Sequence, residues 1–164
     1  MRTLFEKEPV YVIDTCSLNE FLQGDRKYPK DIFKTLWEKI YPMILSGEII
    51  SHEEVRLEIQ DGGIKECVDW INELDHKKMF KSYEYQEEGK IISQIGAKYP
   101  VFLHQKKLKP FHADPWLVAQ AKNRKLIIIT EENYDKGKIP DVCKFMGVEC
   151  INVLGLIKKN SWVL

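Results

Sequence analysis

A three-layer α/β sandwich, with a mostly parallel central sheet flanked by helices, is the fold class this sequence predicts. Three features carry that expectation. Apolar runs that do not alternate, VYVI at residues 10–13 and LIIIT at 126–130, read as strands buried on both faces. Between them lie segments whose apolar residues recur at helical spacing. The two kinds of segment take turns along the chain, which is the signature of strand–helix–strand crossovers and a parallel sheet.

The elements follow in order. After the first strand the chain reaches the turn-rich GDRKYP, and a helix is predicted over residues 30–45, with Ile32, Phe33, Leu36, Trp37, Ile40 and Ile44 on its apolar face. Gly47 supplies its stop. Ile49 and Ile50 form a short second strand. Ser51 caps a helix containing Val55, Leu57 and Ile59, which the Asp61-Gly62-Gly63 run breaks. Another amphipathic helix is predicted over 64–74 and a short strand near Met79, Phe80 and Tyr83. A helix over 85–98 stops before Tyr99-Pro100. His112-Ala113-Asp114-Pro115 opens the helix that runs to Arg124 and precedes LIIIT. Pro140 starts a short helix, residues 149–152 give a last strand, and a terminal helix closes the chain.

The 164 residues carry no internal repeat or Gly/Ser linker and suit a single domain over 1–164. With 44% hydrophobic, 11% aromatic and 30% charged residues the chain can build a core, so disorder is excluded. No apolar run approaches the roughly 20 residues of a membrane helix, and MRTLFEKEPV lacks a secretory signal, so a cytoplasmic protein without membrane association is expected. The four cysteines show no CxxC spacing; Cys67, Cys143 and Cys150 read as reduced core thiols, and Cys16, two residues after Asp14, could be a nucleophile, although a packing role is preferred. Lys plus Arg equals Asp plus Glu at 25 each, yet residues 89–113 hold no acid. Lys90, Lys98, Lys106, Lys107 and Lys109 fall there with His104 and His112, just ahead of Asp114. Such a stretch is either a solvated face or an edge that contacts phosphates.

In parallel sheets, ligands bind outside the carboxyl ends of the strands. Asp14 follows the first strand, Glu54 and Glu58 the second, and Glu131 and Glu132 follow LIIIT. Asp114 and Asp141 open the helices on either side of that strand. Each has a structural explanation. Asp14 could close a turn, Asp114 could cap its helix ahead of Pro115, and Asp141 and Glu132 could face helix N-termini. Glu54 fits a capping box with Ser51, which leaves Glu58, one turn later, as the better site residue. Together the acids would repel one another at one rim unless a hard cation neutralised them. Mg²⁺ or Mn²⁺ takes oxygen ligands, activates water and stabilises charge on phosphate.

At this point three segments resemble the PIN domain, the superfamily of metal-dependent ribonucleases that includes the VapC-type toxins. VIDTCSL is similar to its opening strand and Asp-Thr; IISHEEVRLEI resembles the segment that supplies a glutamate; ADPWLVAQAKNRKLIIITEEN resembles the helix and strand that supply the remaining acids. YVIDTCSL, LWEKI, SGEIIS and KIPDVC…GVECINVLG are similar to a prokaryotic PIN-like subgroup of uncharacterised function. The resemblance implies a PIN-like sandwich in which Asp14, Glu58, Asp114 and Glu132 hold Mg²⁺ or Mn²⁺ and carry catalysis. Thr15 and Thr130 would orient ligands, and Glu54, Glu131 and Asp141 are alternates. The chain departs from the pattern in placing Glu132 where Asp or Asn is usual. The resemblance further implies RNA as substrate, dimerisation, and an antitoxin partner as in the VapC-type members.

The leading expectation is therefore a metal-dependent endoribonuclease, with Lys106, Lys107 and Lys109 on the RNA backbone. A binding or regulatory module without turnover, using exposed aromatics such as Trp162, is the alternative. A phosphoryl-transfer protein of haloacid-dehalogenase type would need a second Asp two residues after Asp14, where this chain has Cys16.

Overall fold

The computed structural model describes residues 6–104 and 112–164. Its five strands are β1 (Tyr11–Ile13), β2 (Ile49–His52), β3 (Phe80–Lys81), β4 (Ile127–Ile129) and β5 (Cys150–Ile151). They form one sheet in the order β3-β2-β1-β4-β5, every pairing parallel. The helices are α1 (Thr15–Leu22), α2 (Lys34–Leu45), α3 (Glu53–Gly62), α4 (Lys65–Asn72), α5 (Leu74–Lys77), α6 (Tyr85–Lys98), α7 (Asp114–Arg124), α8 (Ile139–Met146) and α9 (Val153–Lys159). This is the α/β sandwich with a parallel central sheet that the sequence predicts. Among the described residues no helix is long and apolar enough to cross a membrane.

Non-alternating strands work because helices cover both faces. Tyr11, Val12 and Ile13 are all buried, as are Ile49, Ile50, Ile128 and Ile129. Register sets the rim: Ile13 lies opposite Ile129 and Val12 opposite Ile50. Asp14 and Thr130 therefore leave the sheet side by side, where the chain order reverses between β1 and β4. The Ser51 hydroxyl, at the end of β2, donates to the Ile13 carbonyl at 2.7 Å and ties the third strand end to the other two.

Four expectations need correction. No helix is expected between β1 and the GDRKYP turn, but α1 starts at Thr15 and buries Leu18, Phe21 and Leu22. Helix α2 starts at Lys34 rather than residue 30, because the Pro29 carbonyl accepts the N–H groups of Ile32 and Phe33 in a turn, leaving Ile32 exposed. The segment 64–74 is broken at Glu73, whose extended backbone ends α4 and starts α5 with Leu74 in solvent. Ser51 does not cap α3. Strand β2 continues through His52, and His52 Nδ1 accepts the Glu54 N–H at 3.0 Å.

Replacing Ile128, fully buried in β4, with Ala should cost about 2–5 kcal/mol by leaving a cavity between the helix layers. Urea denaturation of both proteins measures this, and a loss under 1 kcal/mol would mean that β4 is not the packed centre of the sheet.

Candidate functional site

The rim is built from backbone geometry first. Asp14 is the N-cap of α1: its Oδ1 accepts the Ser17 N–H at 2.7 Å. Its Oδ2 accepts the Thr130 hydroxyl, and Thr130 Oγ1 in turn accepts the Glu132 N–H at 3.1 Å. One hydroxyl thus fixes both the carboxylate that ends β1 and the backbone that leaves β4. Asp14 is 2% exposed. Burial pushes its pKa up to about 6, against the hydrogen bonds from Thr130 and Ser17, with the charge of Glu132 adding to the rise.

Asp114 is the first residue of α7 rather than its cap; the cap position is Ala113. Among the described residues the Asp114 carboxylate has no hydrogen-bond partner. Burial, then the charges of Glu132, Asp14 and Glu58, hold its pKa well above the usual carboxylate range, with Lys138 opposing. Glu58 reaches the same place from α3, its Oε2 accepting the Ala113 N–H at 3.1 Å. Glu132 Oε2 accepts the Ile139 N–H at 3.0 Å, at the start of α8. The structure therefore brings Asp14, Glu58 and Glu132 within electrostatic reach of Asp114, the four acids coming from separate parts of the chain.

The alternates go elsewhere. Glu131 accepts the Val153 N–H at 2.7 Å, pairs with Lys27 at 3.1 Å, and so pins α9. Asp141 accepts the Gly137 N–H at 2.8 Å and closes the turn before α8. Glu54 forms no capping box, and its pKa is raised by burial, opposed by His52, with the charges of Glu53 and Glu58 adding to the rise. The Thr15 hydroxyl is shielded from solvent and lacks a hydrogen-bond partner among the described residues. Cys16 is surface-exposed, yet partial desolvation and the charges of Asp14 and Glu20 push its thiol up to about 12, which removes it as a nucleophile at neutral pH.

A cleft of about 530 Å³ opens on Asp114, lined by Lys98, Tyr99, Phe102, His104, Lys136 and Lys138 among others. A second, of about 390 Å³, lies beyond Glu132 with Lys27, Asn133 and Tyr134 on its wall. The expected RNA contacts Lys106, Lys107 and Lys109 lie outside the described residues. Lys136 and Lys138 were not singled out by the sequence reading, although both sit in the loop directly after β4, where site residues are expected.

The donor set suits a hard cation: four carboxylates, with an unpaired hydroxyl beside Asp14. Its geometry is open. Among the described residues no three His, Cys, Asp or Glu side chains converge as a ready metal-binding group. Neighbouring charge raises the proton affinity of Asp14 and Asp114, and among the described residues the acids do not close into a set of three around one point. That arrangement fits a cation that keeps several waters and takes only one or two carboxylates directly.

Comparison with known proteins agrees with the fold. The chain is similar to the crystal structure of FitAcB from Neisseria gonorrhoeae, at 15% identity and a TM-score of 0.54 over 88% of this chain and 99% of that one. No curated protein matches the chain. The family described as "Domain of unknown function (DUF4411)" matches residues 11–164.

Raised acids leave a trace in stability. The native state holds the Asp14 proton more tightly than the unfolded chain, so the contribution of Asp14 to stability is greatest below roughly pH 4 and falls as pH rises to about 6. Asp14→Asn should remove that fall and gain about 2–3 kcal/mol over the wild type at pH 7 without metal. Urea midpoints across pH 4–8 in chelator measure it; curves that stay parallel would contradict the crowding of charge at the rim.

Proposed function

The chain belongs to the DUF4411 family, and we propose that this member is a metal-dependent endoribonuclease acting at the rim between β1 and β4. The observation that carries the reading is the convergence on Asp114 of Asp14, Glu58 and Glu132 from three other elements, at the carboxyl edge of a parallel sheet. Individual structural roles account for Glu131 and Asp141. They do not account for a buried Asp14 and a half-buried Asp114 held beside two further acids.

Asp14 and Asp114 would hold Mg²⁺ or Mn²⁺, with Glu58 and Glu132 completing the shell directly or through water. Such a cation supplies Lewis acidity, easing loss of a proton from water and offsetting charge on the scissile phosphate. The chain's own residues do the rest. Thr130 and the Ser17 N–H keep Asp14 in one orientation. Thr15 offers its unpaired hydroxyl to water or ligand. Lys98, Lys136 and Lys138 give the cleft its positive wall and would hold flanking phosphates; Lys106, Lys107 and Lys109, outside the described residues, are further candidates for RNA contact on the sequence alone. The VapC-type resemblance extends the proposal to an antitoxin partner and to a homodimer.

One observation favours a second reading, a binding module without turnover: Glu58 and Glu132 are already satisfied by backbone N–H groups. Activity separates the two. Purified protein with 5′-labelled single-stranded RNA should cleave in about 1–10 mM Mg²⁺ or Mn²⁺, lose activity in chelator and regain it on adding metal back. Asp14→Asn and Asp114→Asn should lower the rate at least about 100-fold with an unchanged circular dichroism spectrum. Cleavage that survives either substitution would contradict the site; no metal binding and no cleavage by the wild type would favour the module. Lys136→Ala with Lys138→Ala should weaken RNA binding and flatten its salt dependence by about one unit of slope per lost contact. An unchanged slope would place the substrate elsewhere.

A further inference from the structure

The rim acids ride on different helices, and something must fix the spacing between them. Glu58 is on α3 and Asp114 on α7. One link is direct, Glu58 Oε2 to the Ala113 N–H. The other runs through side chains that the proposed chemistry does not use.

His52 is the last residue of β2 and the N-cap of α3, and it is fully buried. Its Nδ1 accepts the Glu54 N–H at 3.0 Å. A ring nitrogen that accepts a hydrogen bond carries no proton, so the imidazole is neutral with its proton on Nε2. That N–H faces Glu88 Oε2 at 3.1 Å and donates to it. The ring lies along the Trp116 indole, with centroids 5.6 Å apart and planes at 26°. Tyr85 meets both rings edge-on, at 6.5 and 5.3 Å. Trp116 stands two residues beyond Asp114 in α7, and Tyr85 and Glu88 belong to the first turns of α6. One imidazole therefore joins the end of β2, the start of α3, and helices α6 and α7.

Glu88 is an expensive way to hold a histidine. It is fully buried, and its Oε1 has no hydrogen-bond partner among the described residues. An apolar side chain would fill that space at less cost, so packing does not explain the carboxylate. What the carboxylate does is bind Nε2–H, which leaves Nδ1 bare to cap α3. A carboxylate that accepts a ring N–H fixes the tautomer and orientation of that histidine, as it does for histidines that bind metals.

We propose that Glu88 and His52 are a positioning pair: Glu88 locks His52 in its Nε2–H form, and His52 sets α3 against α7 so that Glu58 and Asp114 stand where one cation can use both. This rests on the cation reading of the rim, while the tautomer assignment stands without it.

Two measurements on the full chain test the pair. Nitrogen-15 NMR of the wild-type imidazoles without metal should find His52 neutral and protonated at Nε2; protonation at Nδ1 overturns the proposal. Mn²⁺ affinity, read by electron paramagnetic resonance beside thermal unfolding, is then compared among variants. Glu88→Gln keeps an oxygen for Nε2–H and should bind Mn²⁺ within about twofold of wild type, whereas Glu88→Leu and His52→Phe should bind at least about tenfold more weakly while folded. Should Glu88→Leu fail to fold, His52→Asn retains a capping oxygen and should still lose affinity. A pair with a purely structural role would shift the unfolding temperature and leave Mn²⁺ affinity unchanged, which overturns the proposal. Absence of Mn²⁺ binding by the wild type overturns the positioning role together with the cation reading. An Nε2–H signal in that same protein would show that the fault lies in the cation reading and not in the tautomer.

Discussion

Repulsion among carboxylates is the constraint around which this rim is arranged. Asp14 and Asp114 are held where burial and neighbouring negative charge both oppose ionisation. Among the described residues Asp114 has no hydrogen-bond partner, and the other three acids are held by local donors. Here they come from the Ser17 and Thr130 groups on Asp14, and from the backbone N–H groups of Ala113 and Ile139 on Glu58 and Glu132. Three of those four partners, Ser17, Ala113 and Ile139, lie at the beginnings of helices, where unpaired N–H groups are available for acceptors. The parallel sheet makes this possible, because it delivers strand ends and helix starts to one edge.

Neighbouring acids divide the work by direction. Glu131 and Glu132 are adjacent, yet one anchors α9 and pairs with Lys27 while the other turns towards Asp114. Asp141 is spent on the turn before α8. The lysines are similarly sorted. The chain has no net charge, but Lys98, Lys136 and Lys138 gather on the cleft that reaches Asp114, so a positive wall adjoins a negative floor. That juxtaposition suits a polyanion whose phosphate meets a cation at the acids.

Much of this was legible from the residues. The strands β1 and β4 announce themselves as unbroken apolar runs, and α6 falls at the bounds its spacing predicts. The opening Asp14 pointed to the rim because a strand that ends in a buried carboxylate needs a reason. Other features were hidden by competing local rules. Ser is a favoured helix cap, so Ser51 was read as one, but the strand continued one residue further and its hydroxyl went to the Ile13 carbonyl. Asp14-Thr15-Cys16-Ser17 reads as a turn because small polar residues favour turns, and the same residues begin α1. Glu88 left a faint signal: it occupies the apolar stripe of α6, three and seven residues before Ile91 and Ile95. The pairing of His52 with Glu88 joins positions 36 apart, and spacing along one sequence does not reveal such a contact.

The account stands or falls on where a divalent ion goes. Crystals soaked in Mn²⁺ and measured at the manganese absorption edge would locate it by anomalous scattering. The expected map has a peak between the Asp14 and Asp114 carboxylates, with Glu58 and Glu132 turned towards it or bridged by water. A map with no peak there, or with the ion bound only at an unrelated surface, would contradict the claim that these acids are assembled to share a cation.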